Sequence, residues 1–489
     1  MVQSIDYAAL APALAAAIGA LLVVLADLAG AGRRALDGLT LLTAGTGLAT
    51  VFLLAAEGAS RRTFCLSGGG CSYVADGFTL LIQGLVLAAA AIVVLLSSPV
   101  LTGDRLPTAE YHFLLLCAVT GAVTLGAARD LITLVVALEV VSLPVFALTA
   151  FPGRRPGGAA GRVAGEAALK LFLFSVVSTA VTLYGIALLY GVTGELQLDR
   201  LAAALARAGP GEPVAAVLTI AGFAFKVAAV PFHFWAPDVY QGAPVPVAAF
   251  LSVVSKSAGF AGLILVLAVG LRPYAETWSV LLGVLAATTM TWGNLVALRQ
   301  RHAVRLLAWS SVAQSGYILA PLAIAHREPS LAVQATLVYL VIYAAMNLGA
   351  FGVVTAVSRR YARNELEDYR GLARSAPLAA AALGFFLICL AGLPPGLAGL
   401  FAKIAVFRAV VLGGAGWLAV ILAINTVIGL YYYLAWAVRM LGVRAGEPRL
   451  AVPFPLGVAT AVAAVVTVGL SVAPAGVFGL VPLALPLTP

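Results

Sequence analysis

Apolar runs of 18 or more residues recur from one end of the chain to the other, separated by short polar connections. Each is long enough to cross a hydrocarbon core of about 30 Å as a helix. The pattern predicts fourteen spans, at 9–28, 36–56, 77–98, 110–128, 131–151, 164–191, 212–231, 244–270, 276–298, 304–323, 330–357, 376–411, 415–441 and 456–480. The residues before the first run, MVQSIDYA, carry no basic cluster, and no small-residue cleavage site clearly follows, so that run is expected to be a retained helix rather than a signal peptide. Two spans contain internal prolines. The seventh reads FAFKVAAVPFHFW, with Pro231 shortly after Lys226, and the twelfth reads AGLPPGLAGLFAK, with Pro394 and Pro395 shortly before Lys403. Proline removes a backbone donor and clashes with the preceding turn, so both spans should be broken, with the freed carbonyls buried in protein or facing a wet cavity.

The breaks lie five spans apart. Because five is odd, spans four to eight and nine to thirteen would be two inverted five-helix repeats, an arrangement typical of transporters. The expected organisation is residues 1–109 for the first three helices, 110–270 for the first repeat, 271–441 for the second, and 442–489 for the last helix. The fold class is all-α, polytopic and membrane-embedded.

Composition agrees. The chain is 62% hydrophobic and only 10% charged, against about half and a quarter in soluble domains. The net charge of +9 does not point to nucleic acid, because the arginines are scattered through connections rather than gathered on one face. Topology accounts for them: 17 of the 25 arginines, Arg105, Arg154, Arg155 and Arg444 among them, fall in loops after odd-numbered spans. The positive-inside rule then puts those loops in the cytoplasm and both termini outside.

The lysines behave differently. There are only four, Lys170, Lys226, Lys256 and Lys403, and all lie within apolar stretches. An ionised lysine at the centre of a membrane helix costs roughly 2.5 to 3.5 kcal/mol, so each is a candidate functional group. The plainer alternative is structural, a lysine paired to an acid or a carbonyl to fix helix packing. Lys170, about six residues into its span, is close enough to the end to reach the headgroups. Glu139, flanked by apolar residues in the fifth span, is the best candidate counter-ion. Desolvation weakens an amine's hold on its proton and a nearby carboxylate strengthens it, so relative motion of the two can switch protonation. A swing of about two pKa units matches the roughly 2.3 kcal/mol needed to move one charge through 100 mV.

Several neutral groups are candidates for supporting roles. His233 lies just past Pro231 and is as fit for structure as for proton relay. Ser252, Ser255, Thr288, Thr289, Ser310, Ser311 and Gln314 can hold water between the lysines or serve only as packing contacts. Tyr431, Tyr432 and Tyr433 read as an interfacial aromatic cluster. Cys65 and Cys71 share a Gly-rich loop, as a small disulfide or two free thiols, and an outside location favours the disulfide. Neither nucleotide-binding nor haem or iron–sulfur spacing is present, so no cofactor is expected in this chain.

The stretches at 110–148, 166–196, 223–260 (FAFKVAAVPFHFWAPDVYQGAPVPVAAFLSVVSKSAGF), 293–317 (GNLVALRQRHAVRLLAWSSVAQSGY), 343–354 and 367–395 resemble subunit N of proton-translocating NADH-quinone oxidoreductase, respiratory complex I. The resemblance covers most of residues 105–440. It implies an antiporter-like subunit with fourteen helices, held in a bacterial inner membrane beside subunit M-like and subunit K-like neighbours, meeting quinone only through the whole complex. It also implies proton-transfer roles for Glu139, Lys170, Lys226, Lys256 and Lys403. Gln314 and Gln241 replace a histidine and a glutamate common in that family, which removes a titratable point from the central path. A multi-subunit sodium/proton antiporter and a related oxidoreductase with another electron donor are the alternatives, and a structural spacer is the non-transport reading.

Overall fold

A computed structural model describes residues 4–66, 69–104, 106–151, 159–208, 213–443 and 449–480. Arg105, Arg154, Arg155 and Arg444 of the charge count lie outside them. Helices α1 (Tyr7–Leu28) and α2 (Arg33–Glu57) lead into an antiparallel hairpin, β1 (Arg61–Cys65) and β2 (Cys71–Ala75), whose ends are joined by the Cys65–Cys71 disulfide. The hairpin is tied to the start of α1, where the Asp6 carboxylate caps the helix and pairs with Arg61 at 3.1 Å.

Next come α3 (Gly77–Asp104), α4 (Thr108–Ala127), α5 (Leu131–Ala150) and α6 (Ala159–Thr193). A short helix, α7 (Leu198–Ala208), was not anticipated from the apolar runs. It buries Leu198, Leu201 and Leu205, a stripe of three leucines at helical spacing, and so lies as a cover rather than a span.

The seventh span is broken as its proline requires, into α8 (Pro213–Lys226) and α9 (Trp235–Gly242). The eighth combines α10 (Val245–Phe250) and α11 (Lys256–Leu265) through a π-helical turn at Leu251–Ser255, with another at Val266–Gly270. There follow α12 (Ala275–Ala297), α13 (Ala303–Leu319) and α14 (Pro329–Ser358), then the short α15 (Leu372–Ser375). The twelfth span breaks into α16 (Pro377–Ala391) and α17 (Leu397–Leu412), and α18 (Gly416–Leu441), α19 (Phe454–Val472) and α20 (Ala475–Leu480) complete the order.

Twelve helical segments among the described residues are long and apolar enough to span a membrane, and the two shorter apolar helices, α8 and α16, are the leading halves of the broken spans. The layering explains where polarity is tolerated. The segments Val245–Gly270, Ala303–Ile324 and Pro329–Ser358 are enclosed by the others, whereas α1, α2 and α19 are mostly exposed on the perimeter. Polar side chains in the enclosed helices therefore meet protein, where partners can satisfy them, rather than lipid.

Outside the spans, His302 caps α13 by accepting from the Arg305 N–H at 3.4 Å. Burial and the neighbouring Arg305 push its imidazole down to about 4, with Asp368 opposing. A histidine whose folded pKa lies below its unfolded value of about 6.5 leaves the unfolded chain binding more protons between those pH values, so its contribution to stability is lost as pH falls through that window. The loss of thermal stability of the purified complex on acidification from pH about 6.5 to about 4 should be smaller for His302→Asn, which keeps a capping side chain. An unchanged pH profile would refute this assignment.

Candidate functional site

Lys226 is the last residue of α8, and the chain leaves the helix immediately after it, with Ala228 in a left-handed conformation at φ 57°. The opened backbone is satisfied from a neighbour, since the Val230 N–H donates to Thr289 Oγ1 at 2.9 Å. The Lys226 ammonium donates to Ser142 Oγ on α5 at 2.6 Å and to Ser175 Oγ on α6 at 2.9 Å. Glu139 lies one turn before Ser142 and accepts a 2.6 Å hydrogen bond from Thr179, one turn after Ser175. The expected direct Glu139–Lys226 ion pair is not formed. Hydroxyls from α5 and α6 occupy the lysine, while Glu139 is half-buried and held by Thr179.

Lys256 begins α11 directly after the π-turn and is wholly buried. Its ammonium donates to the Ser311 carbonyl and, at 2.8 Å, to Ser315 Oγ on α13. Ser315 in turn donates to the Val227 carbonyl at 2.6 Å, the first carbonyl beyond Lys226. Residues 311 and 315 are four apart, so one face of α13 serves Lys256 and the opened end of α8 together.

The adjoining face of α13 serves the other break. Gln314 donates to the Tyr433 hydroxyl at 3.2 Å and to the Leu390 carbonyl at 3.4 Å, and accepts from Tyr339 at 2.6 Å. Ser310, one turn earlier, shares a hydrogen bond with Tyr433, and Ser311 shares one of 2.8 Å with Tyr343. Lys403, on α17 beyond the break, donates to the Ala391 carbonyl at 2.7 Å and sits over the Tyr317 ring at 5.1 Å, a cation–π contact. Gly392 makes room for it: a Cβ there would lie 2.8 Å from Lys403 Cδ, and its φ of +81° suits glycine. From Tyr317 the polar thread continues through Asn294 to Asn425 at 3.1 Å.

The remaining expected residues are placed differently. Lys170 stands apart from the buried three. It is exposed to 39% and pairs with Glu166 at 2.7 Å and Asp238 at 2.9 Å, and Asp238 also holds Arg305 at 2.8 Å. Since α6 begins at Ala159, ahead of the expected start of this span, Lys170 is not at the helix end, and its exposure follows from its part-exposed acid partners Glu166 and Asp238. His233 lies in the break beside Trp309, with ring centroids 5.3 Å apart. Ser255 sits in the π-turn before Lys256, Pro231 is exposed in the first break, and Pro394 and Pro395 are exposed in the second.

Thr288 faces outward and bonds only to its own helix, so it does not join the lysines. The tyrosine triplet does not form one cluster: Tyr431 is exposed to 68% on the outer side of α18, whereas Tyr432 and Tyr433 are buried against α12 and α13. Sequence reasoning passed over Ser142, Ser175, Thr179, Ser315, Tyr339 and Tyr343. A usable signal existed at Ser311 and Ser315, two hydroxyls at i and i+4 in a helix that also carries Ser310 and Gln314 at the same spacing.

A described family, NADH:quinone oxidoreductase/Mrp antiporter, TM, matches residues 128–429, which include α13 and all three buried lysines. NADH-quinone oxidoreductase subunit N 2 of Streptomyces griseus is 52% identical over 461 residues, covering 92% of this chain and 85% of the relative. Subunit N of Salinispora tropica is 48% identical, covering 89% and 85%. Among solved structures, a chain of respiratory complex I from Thermus thermophilus with bound aureothin superposes with a TM-score of 0.78 at 31% identity, covering 96% of this chain and 98% of that one. A chain of the Mrp complex from Dietzia sp. DQ12-45-1b gives 0.86 at 22% identity, covering 97% and 96%, which is likeness of fold alone. Sequence identity over nearly the whole length, rather than fold, separates these groups, and by it the chain belongs to the subunit N family of NADH-quinone oxidoreductase.

Proposed function

We propose that this chain translocates protons in the membrane arm of a NADH-quinone oxidoreductase, with quinone reduction in partner subunits as the driving event. Lys226, Lys256 and Lys403 are the proton-exchanging groups, and Glu139 is the electrostatic switch at one end. The observation that carries the reading is α13, an enclosed helix whose adjacent faces bond to Lys256 and the opened end of α8 on one side and to the opened end of α16 on the other. Carbonyls freed by the two breaks and hydroxyls on α13 give protons acceptors and donors where lipid would give none. Glu139, held by Thr179, and Lys226, held by Ser142 and Ser175, sit on the same two helices, α5 and α6, without a direct pair, so a perturbation of Glu139 acts on Lys226 through space by shifting charge and hydration. The subunit M-like and subunit K-like neighbours, the NADH donor and the outside location of both termini belong to the same proposal, the last resting on the arginine distribution.

The test is the intact complex in sealed vesicles, with quinone reduction and proton transport followed together. Glu139→Ala and Lys226→Ala should each lower protons moved per electron, with Lys226→Ala the more severe because it leaves Ser142 and Ser175 without their shared donor. Normal stoichiometry in both variants would overturn the proposal and leave the chain as a spacer between pumping neighbours.

A further inference from the structure

A lateral cleft of about 1200 Å³ opens between α2, α3, the hairpin, α7 and the end of the eighth span. None of the lysine chemistry uses it. Its walls are apolar along the helices, with Leu48, Phe52, Leu85, Ala88 and Val269 among the lining residues, and Phe52 is 71% exposed. Its mouth is charged, with Arg62 on β1, Arg272 after the eighth span and Arg129 between α4 and α5.

The three arginines are not equivalent. Arg129 is committed to Asp76 at 2.6 Å. Arg62 and Arg272 are exposed and have no ion-pair partner among the described residues. Asp199, the other acid at the mouth, accepts the Arg200 backbone N–H. Among the described residues, two guanidiniums without an ion pair therefore outnumber the single unpaired acid, Asp199, over an apolar slot.

The depth of the slot is informative. On α2 it runs from Gly58 down to Leu48, and on α3 from Gly77 to Ala88, which at 1.5 Å per residue is about 15 Å from the mouth. That is about half of a 30 Å hydrocarbon core, one leaflet. A neighbouring transmembrane helix would run on through both leaflets and would bring no anion to the mouth. A phospholipid of one leaflet ends where the slot ends and carries its phosphate at the level of the arginines, with guanidinium–phosphate geometry well suited to bidentate bonding.

We propose that this cleft is a binding site for an anionic phospholipid, its phosphate held by Arg62 and Arg272 and its acyl chains lying between α2 and α3. The proposal is independent of the proton-transfer reading. It is tested on the intact complex, delipidated in detergent, then exposed to phosphatidylglycerol or phosphatidylcholine vesicles and examined by native mass spectrometry. The wild-type complex should retain phosphatidylglycerol in preference to phosphatidylcholine. R62Q/R272Q should lose that retention, R62K/R272K should keep it, and Leu85→Trp, which fills the slot without altering charge, should lose it. Retained quinone reduction in each variant checks assembly. Equal retention by R62Q/R272Q and Leu85→Trp would overturn the site, as would a photo-crosslinker at Phe52 that captures a neighbouring subunit instead of lipid.

Discussion

Lys256→Met is expected to leave the complex assembled yet lower proton transport by at least about tenfold, which corresponds to about 1.4 kcal/mol on the limiting step. Methionine matches the length of the lysine stem, so the enclosed packing around α11 is preserved. What disappears is the ammonium that bonds the Ser311 carbonyl and Ser315 Oγ. Ser315 keeps its bond to the Val227 carbonyl, so the opened end of α8 stays anchored. The two halves of the site thus remain in place with the central titratable group removed. Lys256→Arg separates two roles for that group. An arginine keeps the charge but does not release its proton at any relevant pH. If Lys256 supplies only a fixed charge, Arg restores transport; if it exchanges a proton, Arg fails like Met. Sealed vesicles reporting quinone reduction and internal acidification in parallel distinguish these outcomes. Full transport by Lys256→Met would remove the central lysine from the path.

The spans were legible because each must satisfy the same length and polarity requirement, and the two breaks because proline acts on its own helix. Partner choice was not legible, because it depends on which helices end up adjacent. Glu139 and Lys226 are the clearest case: opposite charges in the fifth and seventh spans suggested a pair, but Ser142 and Ser175 occupy the ammonium. Serines and threonines in apolar helices commonly bond their own backbone, and Ser142 also donates to the Leu138 carbonyl at 2.6 Å, so nothing local marks it as a lysine ligand. The tyrosine triplet shows the same limit differently. Consecutive helical residues point about 100° apart, so Tyr431 and Tyr433 cannot share an environment on a helix with one exposed side, and only the packing of α18 decides which is buried. Lys170 was placed among the buried lysines by resemblance, whereas its position near the start of the expected span 164–191, which suggested contact with the headgroup region, agrees better with its exposed ion pairs.

Gly399→Ala should be the most damaging of the small substitutions. Gly399 lies in the first turn of α17, where the chain has just returned from the break and presses against α16. A Cβ at this position would lie 1.6 Å from the Cys389 carbonyl oxygen and 2.6 Å from its carbon, and 3.2 Å from Met346 Sδ. A side-chain tip can rotate away, but a backbone carbonyl in the last turn of a helix cannot, so α17 itself has to move. Overpacking of this kind costs typically about 1 to 3 kcal/mol, and more where backbone must shift. The displacement also has a functional address, because Lys403 is one turn beyond Gly399 and is fixed by its bond to the Ala391 carbonyl at the end of α16. Lower yield of assembled complex and a reduced thermal midpoint are therefore expected, with proton transport per electron reduced in whatever assembles. Gly457→Ala on α19 is the matched control, since a Cβ there meets nothing within 4 Å and alanine is the better helix former by about 1 kcal/mol. If both variants assemble and melt like the wild type, the close approach of α16 and α17 is not what holds Lys403 in place.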